Sequence, residues 1–280
     1  MIPAMQGLCL LLLWPVPAEV ETRFVQILPQ PGEGQVSPAS PLRRRAVVLI
    51  HGLFLHPFSK EHAGSPLLRD WQGPRSRMVR ELGKESDVYA FAYAQNVPLE
   101  DVVQGDGLLK GVRLLRGLGY REIVLVGHSA GGVVAREFVE DHPDEGVTKV
   151  IQVCTPNGGS SWAKWPASCG AQRIFLKSLT KEERRRSLGA RDGKRIPAGV
   201  GFVCVVGAGA GEGDGVVRRD CQWTEDLRKQ GIPAVVLPVV HPQAMRSSRT
   251  ARLIAELISS ATPRWTEKEV EQARKGVLRE

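Results

Sequence analysis

A serine stands among small residues in the stretch Gly127-His128-Ser129-Ala130-Gly131-Gly132. The apolar run 122–127, "EIVLVG", leads into it, and residues 130–141 continue with helical spacing. A serine at a strand-to-helix corner suits nucleophilic attack on a carbonyl carbon. Side chains at Gly127 and Gly131 would collide at so tight a turn, while Ala130 and Gly132 let the helix approach neighbouring strands. The corner forces an unfavourable backbone conformation on the serine and exposes its Oγ at the carboxyl edge of a sheet. The helix N-terminus beside it favours developing negative charge.

A serine nucleophile needs a base, and the base an orienting acid. The chain has six histidines, His51, His56, His62, His128, His142 and His241. Glu212 and Asp214 lie on a glycine-rich loop after an apolar run, and Asp220 is near in sequence. That loop is not a nucleotide cradle. Glu212, Asp214 and Val216 fall where G-x-G-x-x-G needs its last glycine, and no G-x-x-x-x-G-K-[ST] occurs. NAD and ATP are therefore not implied. The five cysteines include no C-x-x-C pair, so zinc and thioredoxin-like chemistry are not indicated. Cys154, Cys169, Cys204 and Cys221, without Cys9, are an even number that fits disulfides but does not require them. Cys204 reads as core.

The elements that must position these groups are legible as alternating strands and helices. Strands are expected at 46–52, 87–94, 122–127, 147–155, 200–209 and 233–240. Helices are expected at 66–82, 99–118, 130–141 and 243–260. Continuous apolar strands alternating with helices imply a parallel sheet covered on both faces. Residues 160–198 break the alternation. This apolar-then-basic segment, with Trp162, Trp165, Phe175 and Leu176, reads as a helical insertion, a cap or lid. The bland reading is a surface excursion packed on the core.

Around residues 45–260 the chain resembles the α/β-hydrolases, and among them bacterial serine carboxylesterases and triacylglycerol lipases. The carriers are "VVLIHGLF" (47–54), "VLVGHSAGGVVAREF" (124–138), "CTPNGGSSWA" (154–163) and "GDGVV" (213–217). The resemblance implies the chain order serine, acid, histidine. His51, His56 and His62 come too early, His128 belongs to the elbow, and His142 sits at the far end of the next helix. His241 remains, with Pro242 biasing it toward extended backbone. Asp214 matches the lipase pattern and is preferred to its rivals Glu212 and Asp220. The resemblance also implies an oxyanion hole from the N–H groups of Ala130 and Leu53. His51 would brace that loop or serve as plain core. A single His-Gly separates the chain from the H-G-G-G esterases. Some of these lipases hold a structural calcium, but no carboxylate set for one is legible.

The expected protein is thus a serine hydrolase of carboxylic esters with Ser129, Asp214 and His241 as its triad. It needs no metal and no organic cofactor. Thioester or amide hydrolysis on the same residues is an alternative, as is an idle binding protein with this fold. Its partner would be a small-molecule or lipid ester, with transient contact to a lipid surface. Net charge is +8 over 280 residues, with basic clusters at 43–45 and 184–186. These read as solvated faces, and without an aromatic-and-basic stripe nucleic acid is not a partner. The apolar run 8–14, with Val16-Pro17-Ala18 after it, resembles a signal-peptide core and slightly favours export; the lack of Lys or Arg before it argues the other way. The organisation expected is a signal-like segment 1–18, a linker arm 19–45, the hydrolase domain 46–262 with its insertion, and a charged helix 263–280.

Overall fold

The computed structural model describes residues 20–29, 43–56, 58–164 and 170–278. The signal-like segment, Cys9, Trp165 and Cys169 lie outside the described residues, as does the middle of the expected arm.

Seven strands form one sheet: β1 (Thr22–Leu28), β2 (Arg45–Ile50), β3 (Asp87–Tyr93), β4 (Glu122–His128), β5 (Val147–Val153), β6 (Gly201–Gly207) and β7 (Ala234–Leu237). Their order is β1-β3-β2-β4-β5-β6-β7. Every neighbouring pair from β3 to β7 is parallel. The strands are Val-rich because both faces are covered. Along β2, Ala46, Val48 and Ile50 enter one apolar layer, and Val47 and Leu49 the other.

The linker arm expected at 19–45 is corrected by β1, which pairs antiparallel with β3 from Thr22↔Tyr93 to Leu28↔Val88. Its short, half-buried pattern is that of an edge strand, and only pairing with β3 satisfies its backbone. The helix expected at 66–82 is shorter. Gly73-Pro74 interrupts it, leaving a 3₁₀ turn at Asp70–Gln72 and a helix at Arg77–Leu82, capped by Ser76 Oγ. The expected 99–118 helix divides at Gly105 into Leu99–Gln104 and Gly107–Gly117. Ala130–Asp141 is one helix, as expected. A 3₁₀ turn, His241–Arg246, precedes the last sheet-covering helix, Ser248–Ser259. Helix Glu267–Leu278 buries Val270 and Val277.

The segment 160–198, expected to be an insertion, contains helices Arg173–Ser178 and Lys181–Ala190. Its apolar residues do two different things. Phe175 is fully buried against Tyr93, with ring centroids 6.0 Å apart, and belongs to the main core. Trp162 is partly exposed at a cavity beside Ser129.

The sheet reverses direction of growth at β2, with β3 on one side and β4 on the other. Crevices at the carboxyl ends of such strands accept ligands. Leu53 follows β2, Ser129 follows β4, and Asp214 and His241 follow β6 and β7.

Candidate active site

Ser129 has φ 54° and ψ −127°, a left-handed backbone that a non-glycine residue adopts only under constraint. Its N–H donates to Val153 O of β5 at 2.9 Å, which anchors the corner. The neighbouring glycines are needed for space. A Cβ at Gly127 would overlap the backbone of Gly131 and Gly132, and one at Gly131 the carbonyls of Ile50 and His51. Gly52, after β2, lies so near that a Cβ would overlap the Ser129 side chain.

His241 bridges the serine and the acid. Its Nε2 lies 3.0 Å from Ser129 Oγ and its Nδ1 2.7 Å from Asp214 Oδ2. An ionised Asp214 only accepts, so Nδ1 carries the proton, and Nε2 is left to accept from the serine hydroxyl. Asp214 Oδ1 accepts from the N–H groups of Val216 at 2.9 Å and Val217 at 2.7 Å. Asp214 O also accepts from His241 N–H at 2.9 Å, so the loop and the histidine are tied by backbone as well. The rival acids are elsewhere: Glu212 and Asp220 both pair with exposed Arg218.

Three of the expected residues are therefore brought into one chain of hydrogen bonds. Of the expected oxyanion donors, Ala130 follows Ser129 in the chain and Leu53 lines the same cavity as Ser129. The N–H of Leu53 and that of Ala130, at the start of its helix, have no hydrogen-bond partner among the described residues. His51 is buried and held neutral, its pKa lowered to about 3 by burial and then by the Arg69 charge. It accepts from Tyr93 N–H at 3.3 Å through Nε2, and its Nδ1 lies 2.8 Å from Gly52 O. It thus braces the loop. His128 is lowered well below its ordinary value by burial and by the adjacent His241, so it adds no charge beside the site.

A cavity of about 390 Å³ opens over Ser129 and His241. Leu53, Phe54, Trp71, Trp162, Leu176 and Val217 line it. Trp162 and Leu176, expected in a lid or acyl pocket, are among the residues of its wall. Phe175 is corrected: its ring is taken up by the core and does not line the cavity.

Sequence reasoning missed three groups. Gln95, buried at the end of β3, and Gln172, buried in the insertion, hold the loop after β2. A polar residue directly after the apolar strand "DVYAFAYA" was the available signal for Gln95. Cys154, left-handed at φ 54°, packs its thiol against Asp214, and burial followed by that carboxylate raises its pKa. Donor atoms of Cys154, Asp214 and His241 lie within 4.8 Å of one another, but the Asp214 and His241 donors are already engaged as described. The thiols of Cys154, Cys204 and Cys221 are free.

No protein-family model matches the chain, and no curated protein is significantly similar in sequence. Solved structures do match. The mature lipase BlEst2 of Bacillus licheniformis is 17% identical at TM-score 0.62, with 85% of this chain and 98% of that chain covered. Phospholipase PlaB of Legionella pneumophila is 14% identical at TM-score 0.56, over 84% of this chain and 63% of that one. A metagenomic carboxyl esterase is 18% identical at TM-score 0.52, over 88% of this chain and 79% of that one. At these identities the likeness establishes the fold, which is that of the α/β-hydrolases.

Proposed function

We propose that this chain, an α/β-hydrolase in fold, cleaves carboxylic esters with Ser129 as nucleophile, His241 as general base and acid, and Asp214 as its orienting partner. The observation that carries the reading is His241 spanning Ser129 Oγ and Asp214 Oδ2 at the floor of an apolar cavity. The named lipase and esterase neighbours agree with it.

In the reaction Ser129 Oγ attacks the ester carbonyl carbon while its proton passes to His241 Nε2. The carbonyl oxygen becomes an oxyanion, bound by the Leu53 and Ala130 N–H groups. Asp214 holds the Nδ1–H tautomer and stabilises the imidazolium. The intermediate collapses, and the leaving alcohol takes the proton from His241. Water then gives a proton to His241 and attacks the acyl-enzyme, releasing the acid and restoring the serine. The chemistry requires neither a metal nor an organic cofactor.

The cavity volume is in the small-molecule range and its wall is apolar. Hydrolysis of p-nitrophenyl esters from acetyl to palmitoyl tests the proposal, with fluorophosphonate labelling at Ser129 alongside. Turnover and labelling that both disappear in Ser129→Ala support it. A folded wild type silent on every ester and unlabelled refutes it, and labelling without ester turnover would point to thioesters or amides.

A further inference from the structure

We infer that Gln95 is a positioning residue for the oxyanion hole: it aims the Leu53 N–H by holding the peptide groups on either side of Leu53, with Gln172 of the insertion as its support. The inference rests on the proposed ester hydrolysis, because the donor it concerns matters only if an oxyanion forms there.

The argument is one of peptide geometry. Gly52 C=O and Leu53 N–H belong to the same planar, trans unit, so the carbonyl and the N–H point in opposite directions. Whatever holds Gly52 O therefore aims the Leu53 N–H. Gln95 Nε2 donates to Gly52 O at 2.9 Å, and His51 Nδ1 approaches the same oxygen at 2.8 Å. The next peptide unit carries Phe54 N–H, which donates to Gln95 Oε1 at 3.0 Å. One side-chain amide thus grips both units that meet at Leu53. The opposite side of the loop faces Ser129, as the overlap expected for a Cβ at Gly52 indicates.

Gln172 extends the grip. Its Nε2 donates to Phe54 O at 2.8 Å and lies 3.3 Å from Gln95 Oε1, and its Oε1 accepts from His56 N–H at 2.7 Å. Gln95 is 2% exposed and Gln172 is 0% exposed, so water does not compete for these bonds. Arg69 Nη2, 3.3 Å from Gln95 Oε1, favours that oxygen as the acceptor end and fixes the amide's orientation. A merely structural pair of glutamines could sit anywhere in the core. This one holds Gly52 O, Phe54 N–H and Phe54 O, the groups on either side of Leu53, and leaves the Leu53 N–H unengaged.

The test is Gln95→Leu, which keeps side-chain bulk and loses both bonds, and Gln95→Glu, which keeps the acceptor beside Arg69 and loses the donor to Gly52 O. Gln172→Ala is the milder third variant and covers the case in which a Gln95 variant does not fold. Each is compared with wild type in kcat, KM and inhibition by an alkylboronic acid, whose adduct with serine mimics the tetrahedral oxyanion. Loss of a whole oxyanion donor costs about 10²–10³ in kcat, so misaiming one should cost about 10–100-fold. The expected result is that fall in kcat for both Gln95 variants and a several-fold fall for Gln172→Ala. KM should stay within about threefold, and boronate affinity should fall in parallel with kcat/KM. Folded variants with unchanged kcat and boronate affinity overturn the inference alone, as does a loss that appears only in KM. A wild type that neither turns over ester nor binds boronate overturns the proposed function and this inference with it.

Discussion

The two ends of helix Ala130–Asp141 carry two buried polar clusters of opposite character. At its far end Arg136 pairs with Glu140 and Asp226, Arg184 with Glu137, and Arg191 with Glu140 and Asp141. Arg136, Glu137, Glu140 and Arg184 are all buried. That cluster joins the helix to the insertion and to helix Glu225–Lys229, and each of its charges meets an opposite charge. At the near end the cluster is left incomplete. Ser129 Oγ meets His241 at the cavity, and the Leu53 and Ala130 N–H groups have no hydrogen-bond partner among the described residues. Closed pairing leaves no buried charge without an opposite one, which would be costly. Under the proposed function, the unengaged donors would receive charge that appears only during the reaction.

Substitutions at the two ends should therefore separate activity from stability. The largest effect is expected for Ser129→Ala, with kcat reduced roughly 10⁶-fold and thermal stability no worse than wild type. Comparing ester turnover with the unfolding midpoint checks it; a mutant that hydrolyses at the wild-type rate would remove Ser129 from the chemistry. Asp214→Asn comes next, with kcat down about 10⁴-fold in a folded protein, because the amide favours the wrong His241 tautomer. At the far end Glu137→Ala should leave Arg184 buried and unpaired and cost about 3–5 kcal/mol of stability. Active-site titration should find kcat per folded molecule unchanged. The double change Glu137→Leu with Arg184→Met should recover most of that loss; urea denaturation of the three proteins decides.

A pH slope near the active-site end is expected as well. His51 is held neutral in the fold with a pKa of about 3, below its unfolded value. Below pH 6.5 the unfolded chain therefore binds the proton and the folded chain does not. The stability present above pH 6.5 should decline as pH falls toward 3, by roughly 1.4 kcal/mol per unit for this one group. Unfolding midpoints between pH 7 and 4 would show it, and His51→Gln should flatten the slope. An equal slope in that variant would assign the acid sensitivity to other groups.

Some of this was determined by sequence alone, because it depends on residues near one another in the chain. The Val-rich runs specified the buried strands. The alternation specified the layers, and Gly127, Ser129 and Gly131 specified the corner, because only small residues clear its backbone overlaps. Asp214 and His241 could be nominated in sequence, since chain order and the loops after apolar strands narrowed the choice. Tertiary structure decided the rest. An edge strand such as Thr22–Leu28 has a weak pattern of its own and gains its meaning from its partner β3. Phe175 and Trp162 look alike in an apolar segment, and only packing sends one to the core and the other to the cavity. The loop after β2 is held by Gln95 and Gln172, 77 residues apart in the chain, and of the two only Gln95, directly after an apolar strand, carries a local signal. Their role exists only where the fold brings them to successive peptide units of one loop, because a hydrogen bond depends on distance and direction, and neither is written in local sequence.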